Sequence, residues 1–167
     1  MSKVKRVSAD QIPVIDISSL VLGEAAKSLH HASQNLGFLY VTGHGMDSHL
    51  INQLYQSGLA FFRAPDEQKQ SVSVSKNHRG WLGSGQAKME DNALSDFKES
   101  YIWGAEDAHH FGDHSLRGSN RWPAFAPQLE SLGNAYFNQA HQVAHHLMRG
   151  FALGLGLKED FFLQTTQ

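Results

Sequence analysis

Histidine is the residue type with the greatest potential for chemistry here, because eleven of the 167 residues are histidines and none is a cysteine. Imidazole is the commonest metal ligand in proteins and titrates close to neutral pH. His141 and His145 lie four residues apart on a predicted helix, a spacing that places both imidazoles on one helical face. The helical phase turns this face away from the apolar stripe, and the pair lacks a third ligand. We therefore predict solvent-exposed histidines and no metal site.

A second group of potential metal ligands lies in the irregular segment between residues 104 and 126. It consists of His109, His110, Asp113 and His114. Histidine and carboxylate suit zinc, iron or nickel, but no pair here has a recognised ligand spacing and a loop provides no rigid frame. We therefore predict a polar surface loop. His44 stands between Gly43 and Gly45, whose backbone freedom suits a sharp strand-to-helix turn, so we predict a structural role for this histidine.

Arg79, Trp81 and Tyr101 are the strongest candidates for contact with a small-molecule substrate. A guanidinium group can hold a carboxylate through two parallel hydrogen bonds. The alternatives are a salt bridge for Arg79 and core packing for the two aromatic residues. Asp96 and Glu99 resemble a carboxylate pair for acid–base catalysis, but strand alternation places them on opposite faces, so we predict structural ion pairs instead. We predict no catalytic, cofactor-binding or metal-binding residue in this chain.

Helices and a few short strands must position these side chains, so the predicted fold class is α+β. Strands are predicted at residues 12–17, 38–42 and 96–103, and the aromatic and β-branched residues of 38–42 indicate a buried strand. Helices are predicted after Gly23, after Asp47 and from Pro127 onward, with Gly37 ending the first and a short helical turn starting at Pro65. The second helix is predicted to pack through an apolar face of Leu50, Ile51, Leu54, Tyr55, Gly58, Leu59 and Phe62.

Composition excludes several classes of function. A net charge of −2 gives no electrostatic reason to expect nucleic acid or an anionic membrane as a partner. The absence of cysteine excludes disulfides, thiolate nucleophiles and Cys-ligated zinc. No apolar run approaches the length of a membrane span, and the polar N-terminus has no leader-like apolar region, so we expect a cytoplasmic protein.

The order of several short segments resembles the N-terminal region of the isopenicillin N synthase-like family of non-haem Fe(II)/2-oxoglutarate-dependent dioxygenases. The segments are IPVID at 12–16, LGFLYVTGHG at 36–45, FF at 61–62 with Pro65, Glu67 and Lys69, RGW at 79–81 with Gly85, DFKE at 96–99, WP at 122–123 and LGL at 153–155. Each segment alone is a weak signal, but their occurrence in the family's order from residue 12 onward is a strong joint one.

The resemblance also implies what this chain lacks. In that family His-x-Asp and a distant His hold the iron on a double-stranded β-helix (jelly-roll) that follows the long helix, leaving open positions for cosubstrate and oxygen. The sequence contains no His-x-Asp or His-x-Glu triplet, and its Arg-x-Ser triplets at 6–8 and 117–119 follow no iron motif and are interpreted as coincidental. We therefore expect the N-terminal part of a jelly-roll dioxygenase whose core is missing. Its predicted parts are a tail at 1–11, a dioxygenase N-terminal domain at 12–126, and a long backbone helix at 127–167 that leads toward the absent jelly-roll domain.

The resemblance implies that this chain forms the substrate-side portion of an oxygenase that oxidises a small organic molecule. Fe(II) and 2-oxoglutarate would serve a full-length relative, where residues around Arg79 and Tyr101 lie near the mouth of the jelly-roll and shape the substrate pocket. We expect this chain alone to bind neither Fe(II) nor 2-oxoglutarate and to be inactive, because we interpret it as a fragment or a truncated open reading frame. The missing jelly-roll domain or self-association would then cover apolar surface. The alternatives are a small histidine-rich metal-binding protein and a non-catalytic interaction protein.

Overall fold

The structure, a computed structural model, describes residues 11–20, 23–86, 96–106 and 118–165. It divides the chain into two units, of which the first comprises residues 1–46 and 139–167 and the second residues 47–138. The longest helix, α4 (Gln128–Gly154), contributes residues to both units. The predicted domain boundary after residue 126 is not tested by this division and stays a prediction.

The first unit is built around a two-stranded parallel sheet. Strand β1 (Val14–Asp16) pairs with β2 (Tyr40–Thr42), and helix α1 (Glu24–Asn35) connects them. The buried residues of this core are Ile15, Ile17, Leu20, Leu29 and Ala32, and Val143, Leu147 and Phe151 of α4 pack against them. The second half of the predicted apolar stripe of α4 therefore belongs to this core.

Helix α1 ends as its sequence predicts. Gly37 adopts a positive φ of 78° and donates its N–H to the carbonyl of Ala32 at 3.1 Å. Glycine occupies this left-handed position without steric cost, and the bond satisfies a carbonyl that the helix end leaves open. The turn brings the chain back to pair with β1.

The expectation of a buried strand at residues 38–42 is wrong. The strand covers only Tyr40–Thr42, where Tyr40 is 57% exposed and Val41 is partly buried, and Phe38 before it is 73% exposed. Strand composition identifies residues that suit a pleated surface, but which face is covered depends on neighbouring elements.

The second unit contains helix α2 (Ser48–Arg63), helix α3 (Asp66–Gln70), strand β3 (Gly80–Leu82), strand β4 (Ser100–Ile102) and the beginning of α4. Asp47 caps α2, because its carboxylate accepts the N–H of His49 at 2.8 Å, as predicted. The buried residues of this second core are Phe61, Val72, Trp81, Ala126 and Leu129.

Only part of the predicted apolar face of α2 is covered. Leu50 and Phe61 are buried and Leu54 packs against the core, whereas Ile51, Tyr55 and Phe62 are 37%, 62% and 36% exposed. Periodicity correctly predicted an amphipathic helix, but the covered arc is narrower than the apolar one.

The predicted strand at residues 96–103 is shorter than expected, since regular pairing is confined to Ser100–Ile102, and Phe97 is fully exposed. The mixture of helices with a few strands is confirmed. No helix in the described part of the chain is long and apolar enough to cross a membrane.

Candidate functional site

The pairing of β3 with β4 brings two of the three predicted substrate-side residues together. The strands are antiparallel, and Trp81 lies directly opposite Tyr101. Opposite residues share a face of the sheet. The sheet therefore carries Trp81 and Tyr101, whereas Arg79 lies immediately before β3.

Trp81 occupies a packing position. It is 5% exposed, and its indole Nε1 donates to Glu99 Oε2 at 2.7 Å. The Nζ of Lys69 lies 5.0 Å from the centre of the Trp81 ring, a cation–π distance. Because the ring is covered and its only donor is used, this geometry favours the packing alternative for Trp81 over ligand contact.

Lys69 is a buried cation whose three donors are all used. Its Nζ donates to Glu99 Oε2 at 2.8 Å and to the carbonyl of Phe62 at 3.3 Å, and it lies 3.1 Å from Asp66 Oδ1. Its side chain is 5% exposed. Burial opposes the charge, but the hydrogen bonds to Glu99 and Asp66 outweigh burial and raise the pKa of Lys69 above its usual value.

The ion-pair role predicted for the two carboxylates is confirmed, with different partners for each. Asp96 pairs with Lys98 at 2.9 Å, whereas Glu99 pairs with Lys69. Sequence reasoning missed Lys69 as the partner, because 30 positions separate it from Glu99 and nothing local links them.

Arg79 is the least satisfied charged group of this site. Its guanidinium makes only two long contacts, from Nη1 to the carbonyls of Asn77 and His78 at 3.4 Å each. Its Nε is buried without a hydrogen-bond partner, and none of the described carboxylates forms a salt bridge with it. The guanidinium lies close to Gly104, where an added Cβ would meet Arg79 Nη2 at 2.7 Å. The salt-bridge alternative for Arg79 is therefore not seen among the described residues.

Tyr101 is half-buried in a group of aromatic rings. Its ring centre lies 4.8 Å from that of Phe61 and 6.1 Å from those of Trp103 and Trp122. Its hydroxyl donates to the carbonyl of Arg121. Burial, and then the negative charge of Glu130, raise the pKa of Tyr101 well above its usual value, so the phenol stays protonated. Both Tyr101 and Trp103 thus contact aromatic residues of their own unit.

An apolar cavity of about 140 Å³ lies beside Tyr101. Its walls come from α2, from β4 with the residue that follows it, and from the start of α4, namely Leu54, Gly58, Phe61, Phe62, Tyr101, Trp103 and Leu129. No local sequence pattern predicts the cavity, because its walls are distant in the chain.

Asn120 joins the two ends of the segment that the structure leaves out between residues 106 and 118. Its side-chain amide donates to the carbonyl of Gly104 at 2.8 Å and accepts the N–H of Gly104 at 3.0 Å. It also donates to Glu106 Oε2 at 2.6 Å. The predicted loop cluster of His109, His110, Asp113 and His114 lies outside the described residues.

The histidines of α4 differ from their prediction. His141 is exposed and its ring lies 4.2 Å from that of His145, but His145 is partly buried and its Nε2 is covered without a hydrogen-bond partner. His146 Nε2 donates to the carbonyl of Ile17 at 2.7 Å. His44 accepts the N–H of Met46 at 3.1 Å, which supports the predicted structural turn. The prediction of solvent exposure is therefore wrong for His145, because α4 packs through a wider arc of its surface than the apolar stripe alone.

The described residues do not fit an iron centre. No group of three or more histidine, aspartate, glutamate or cysteine side chains among them lies close enough to hold a metal ion. A facial triad requires two histidines and a carboxylate that converge on one point. The described part of the chain therefore offers no place for the metal.

Comparisons with known proteins place these features in a family. The family model described as non-haem dioxygenase in morphine synthesis N-terminal matches residues 12–125. Azadirone synthase of Melia azedarach is 31% identical over 159 residues, which cover 90% of this chain and 47% of that protein. A probable iron/ascorbate oxidoreductase of Dictyostelium discoideum is 28% identical, with 96% of this chain and 50% of the relative covered.

Solved structures agree with the sequence matches. A full-length Neurospora crassa protein crystallised with alpha-KG and thymine has a TM-score of 0.75 and 28% identity, over 93% of this chain and 52% of its own. JOX2 in complex with 2OG, Fe and JA has a TM-score of 0.72 and 27% identity, over 92% of this chain and 43% of its own. The chain thus spans about half the length of the relatives that it matches.

Proposed function

The chain belongs to the family of 2-oxoglutarate- and Fe(II)-dependent oxygenases, as an N-terminal portion, and from this we propose that it forms the substrate-side wall of such an enzyme. The whole protein would oxidise a small organic substrate with iron and 2-oxoglutarate. These two groups supply the oxidising chemistry when they are bound, and the described residues would contribute substrate binding and support.

The unsatisfied guanidinium of Arg79 carries this proposal. Among the described residues this half-buried cation has no carboxylate partner, and its Nε is buried without a hydrogen bond to replace the water that burial removes, which is costly. Arg79 lies immediately before β3, which pairs with the strand that carries Tyr101, so an anionic group of a substrate would find a cation and an apolar surface within one unit. Arg79 and Tyr101 are the proposed substrate contacts, and Trp81 supports them from within the core.

The alternative of a histidine-rich metal-binding protein has less support. Its best described pair, His141 and His145, has no third ligand among the described residues, and His145 Nε2 is covered. An interaction role would instead rest on the exposed Phe38 and Tyr40.

The test is kinetic and uses a full-length protein that contains this chain. We expect Arg79→Ala to raise KM for the organic substrate at least roughly tenfold, the effect of losing one charge-assisted contact. Succinate release from 2-oxoglutarate without organic substrate should be unchanged, because Arg79 would act on the substrate alone. Lys76→Ala removes an exposed cation of the same loop and is the control. Equal loss of both reactions in Arg79→Ala, or an unchanged KM, would contradict the proposal.

A further inference from the structure

We infer that the cavity beside Tyr101 is a binding site for a small, uncharged apolar group about the size of one aromatic ring. Protein cavities of about 150 Å³ with apolar walls stay dry and take up benzene-sized molecules. The space beside Tyr101, about 140 Å³, has this size although it is partly open to solvent, and its walls are almost entirely carbon.

The polar atoms of the walls are already committed elsewhere. The hydroxyl of Tyr101 donates to the carbonyl of Arg121, and the indole Nε1 of Trp103 donates to the carbonyl of Gly133 at 3.2 Å. The remaining wall residues are aliphatic, aromatic or glycine. A ligand in this space would therefore meet ring faces and methyl groups, and any polar atom that it buried there would lose its hydrogen bonds to water without replacement.

Gly58 is the second and independent observation. Glycine inside a helix is less favourable than every residue except proline, so a glycine in the interior of α2 calls for a reason. The packing of the described chain provides none, because a Cβ at Gly58 would meet no atom within 4 Å. Glycine commonly allows a ligand to approach the backbone closely, and Gly58 forms part of the cavity wall.

The binding site itself does not depend on the proposed function. That function is needed only to identify the ligand as the apolar part of a substrate, and this identification rests on it. The cavity lies next to Tyr101, one of the two proposed substrate contacts. The proposed substrate site would therefore accept an apolar group about the size of one aromatic ring. Toluene binding needs neither iron nor oxygen, and its failure would leave the kinetic test of Arg79 standing. The two results are therefore distinguishable.

The experiment uses the 167-residue chain and toluene as the probe. We expect toluene to raise Tm in a saturable manner, because a ligand that binds only the folded state stabilises it. Phenol, which has nearly the same shape, should bind roughly tenfold more weakly or worse, since its hydroxyl would be buried without a partner. Intermolecular NOEs from the toluene methyl group should reach the methyl groups of Leu54 and Leu129.

Two variants of α2 locate the site. Gly58→Leu places a side chain in the open space and should abolish the shift, whereas Ala60→Leu adds the same side chain to an exposed position of the helix and should retain it. A shift that persists in a folded Gly58→Leu variant, or NOEs to other methyl groups, would overturn the inference. If Gly58→Leu does not fold, the NOEs from toluene to Leu54 and Leu129 in the unaltered chain test the inference instead. If the unaltered chain shows neither a rise in Tm nor these NOEs, the inference is also overturned.

Discussion

At the scale of single residues, Lys69 stabilises the site more than any sequence motif indicated. We expect Lys69→Met to lower the free energy of unfolding by about 2–4 kcal/mol, since it leaves Glu99 and the indole of Trp81 without their buried cation. The estimate is below the full range for a buried pair because the Glu99 side chain is 29% exposed. Urea denaturation of the unaltered chain and the variant measures the difference.

The control is the neighbouring exposed pair. Lys98 and Asp96 are 58% and 43% exposed, so Lys98→Met should cost no more than about 1 kcal/mol. Equal costs for the two variants would show that burial of Lys69 adds nothing.

The raised pKa values of Tyr101 and Lys69 predict that the protein loses stability at alkaline pH. The pKa of each is raised by folding, so the stabilisation is fully present below the unfolded values, 10.0 for tyrosine and 10.5 for lysine, and is lost as pH rises through the folded pKa. We expect Tyr101→Phe to lose stability less steeply above pH 10. Denaturant midpoints from pH 8 upward test this, with Tyr40→Phe as the exposed control. Identical pH profiles for Tyr101→Phe and the unaltered chain would disprove the assignment.

At the scale of elements, the turn after β2 depends on a close approach to β1. Gly43 and Gly45 both have positive φ, of 66° and 71°, but only at Gly43 would a Cβ overlap the carboxylate of Asp16. That carboxylate accepts the N–H of Ser18 at 2.9 Å, and hydrogen bonds from the side chain and backbone of Ser18 lower the pKa of Asp16.

Comparing Gly43→Ala with Gly45→Ala isolates this contact. The left-handed conformation strains both variants, and Gly43→Ala should lose up to about 1 kcal/mol more, because the exposed Asp16 side chain must move and give up its hydrogen bond from Ser18. NMR titration should also find the pKa of Asp16 higher in Gly43→Ala alone. Equal losses of stability, with Asp16 titrating alike in both, would argue against the contact.

At the scale of the whole molecule, the prediction concerns metal. We expect the purified 167-residue chain to hold no stoichiometric iron and to release no succinate from 2-oxoglutarate, since the described residues contain no group able to bind the metal. Elemental analysis and a succinate assay measure the two quantities. One tightly held iron per chain would overturn this, and its loss on replacing His109 or His114 would favour the metal-binding alternative.

The sequence alone determined the local structure and the family. Helix starts and stops are decided within a few residues, so the helix after Asp47, the stop at Gly37 and the start of the long helix near Pro127 were predictable, as was the mixture of helices and strands. The order of short segments predicted the family, which the match over residues 12–125 bears out. The prediction of structural ion pairs for Asp96 and Glu99 was also right, although both residues lie before the regular strand at Ser100–Ile102.

Only the tertiary structure decided which surfaces are covered and which distant groups meet. Apolar periodicity predicted the face of α2, and residue composition predicted a buried strand at 38–42. Neither could tell that Tyr55 and Phe38 stay exposed, since burial depends on the neighbours that fold against an element. The partnership of Lys69 with Glu99, the bond from His146 to Ile17 and the cavity beside Gly58 join positions far apart in the chain. Such contacts arise from packing in three dimensions, and no local pattern encodes them.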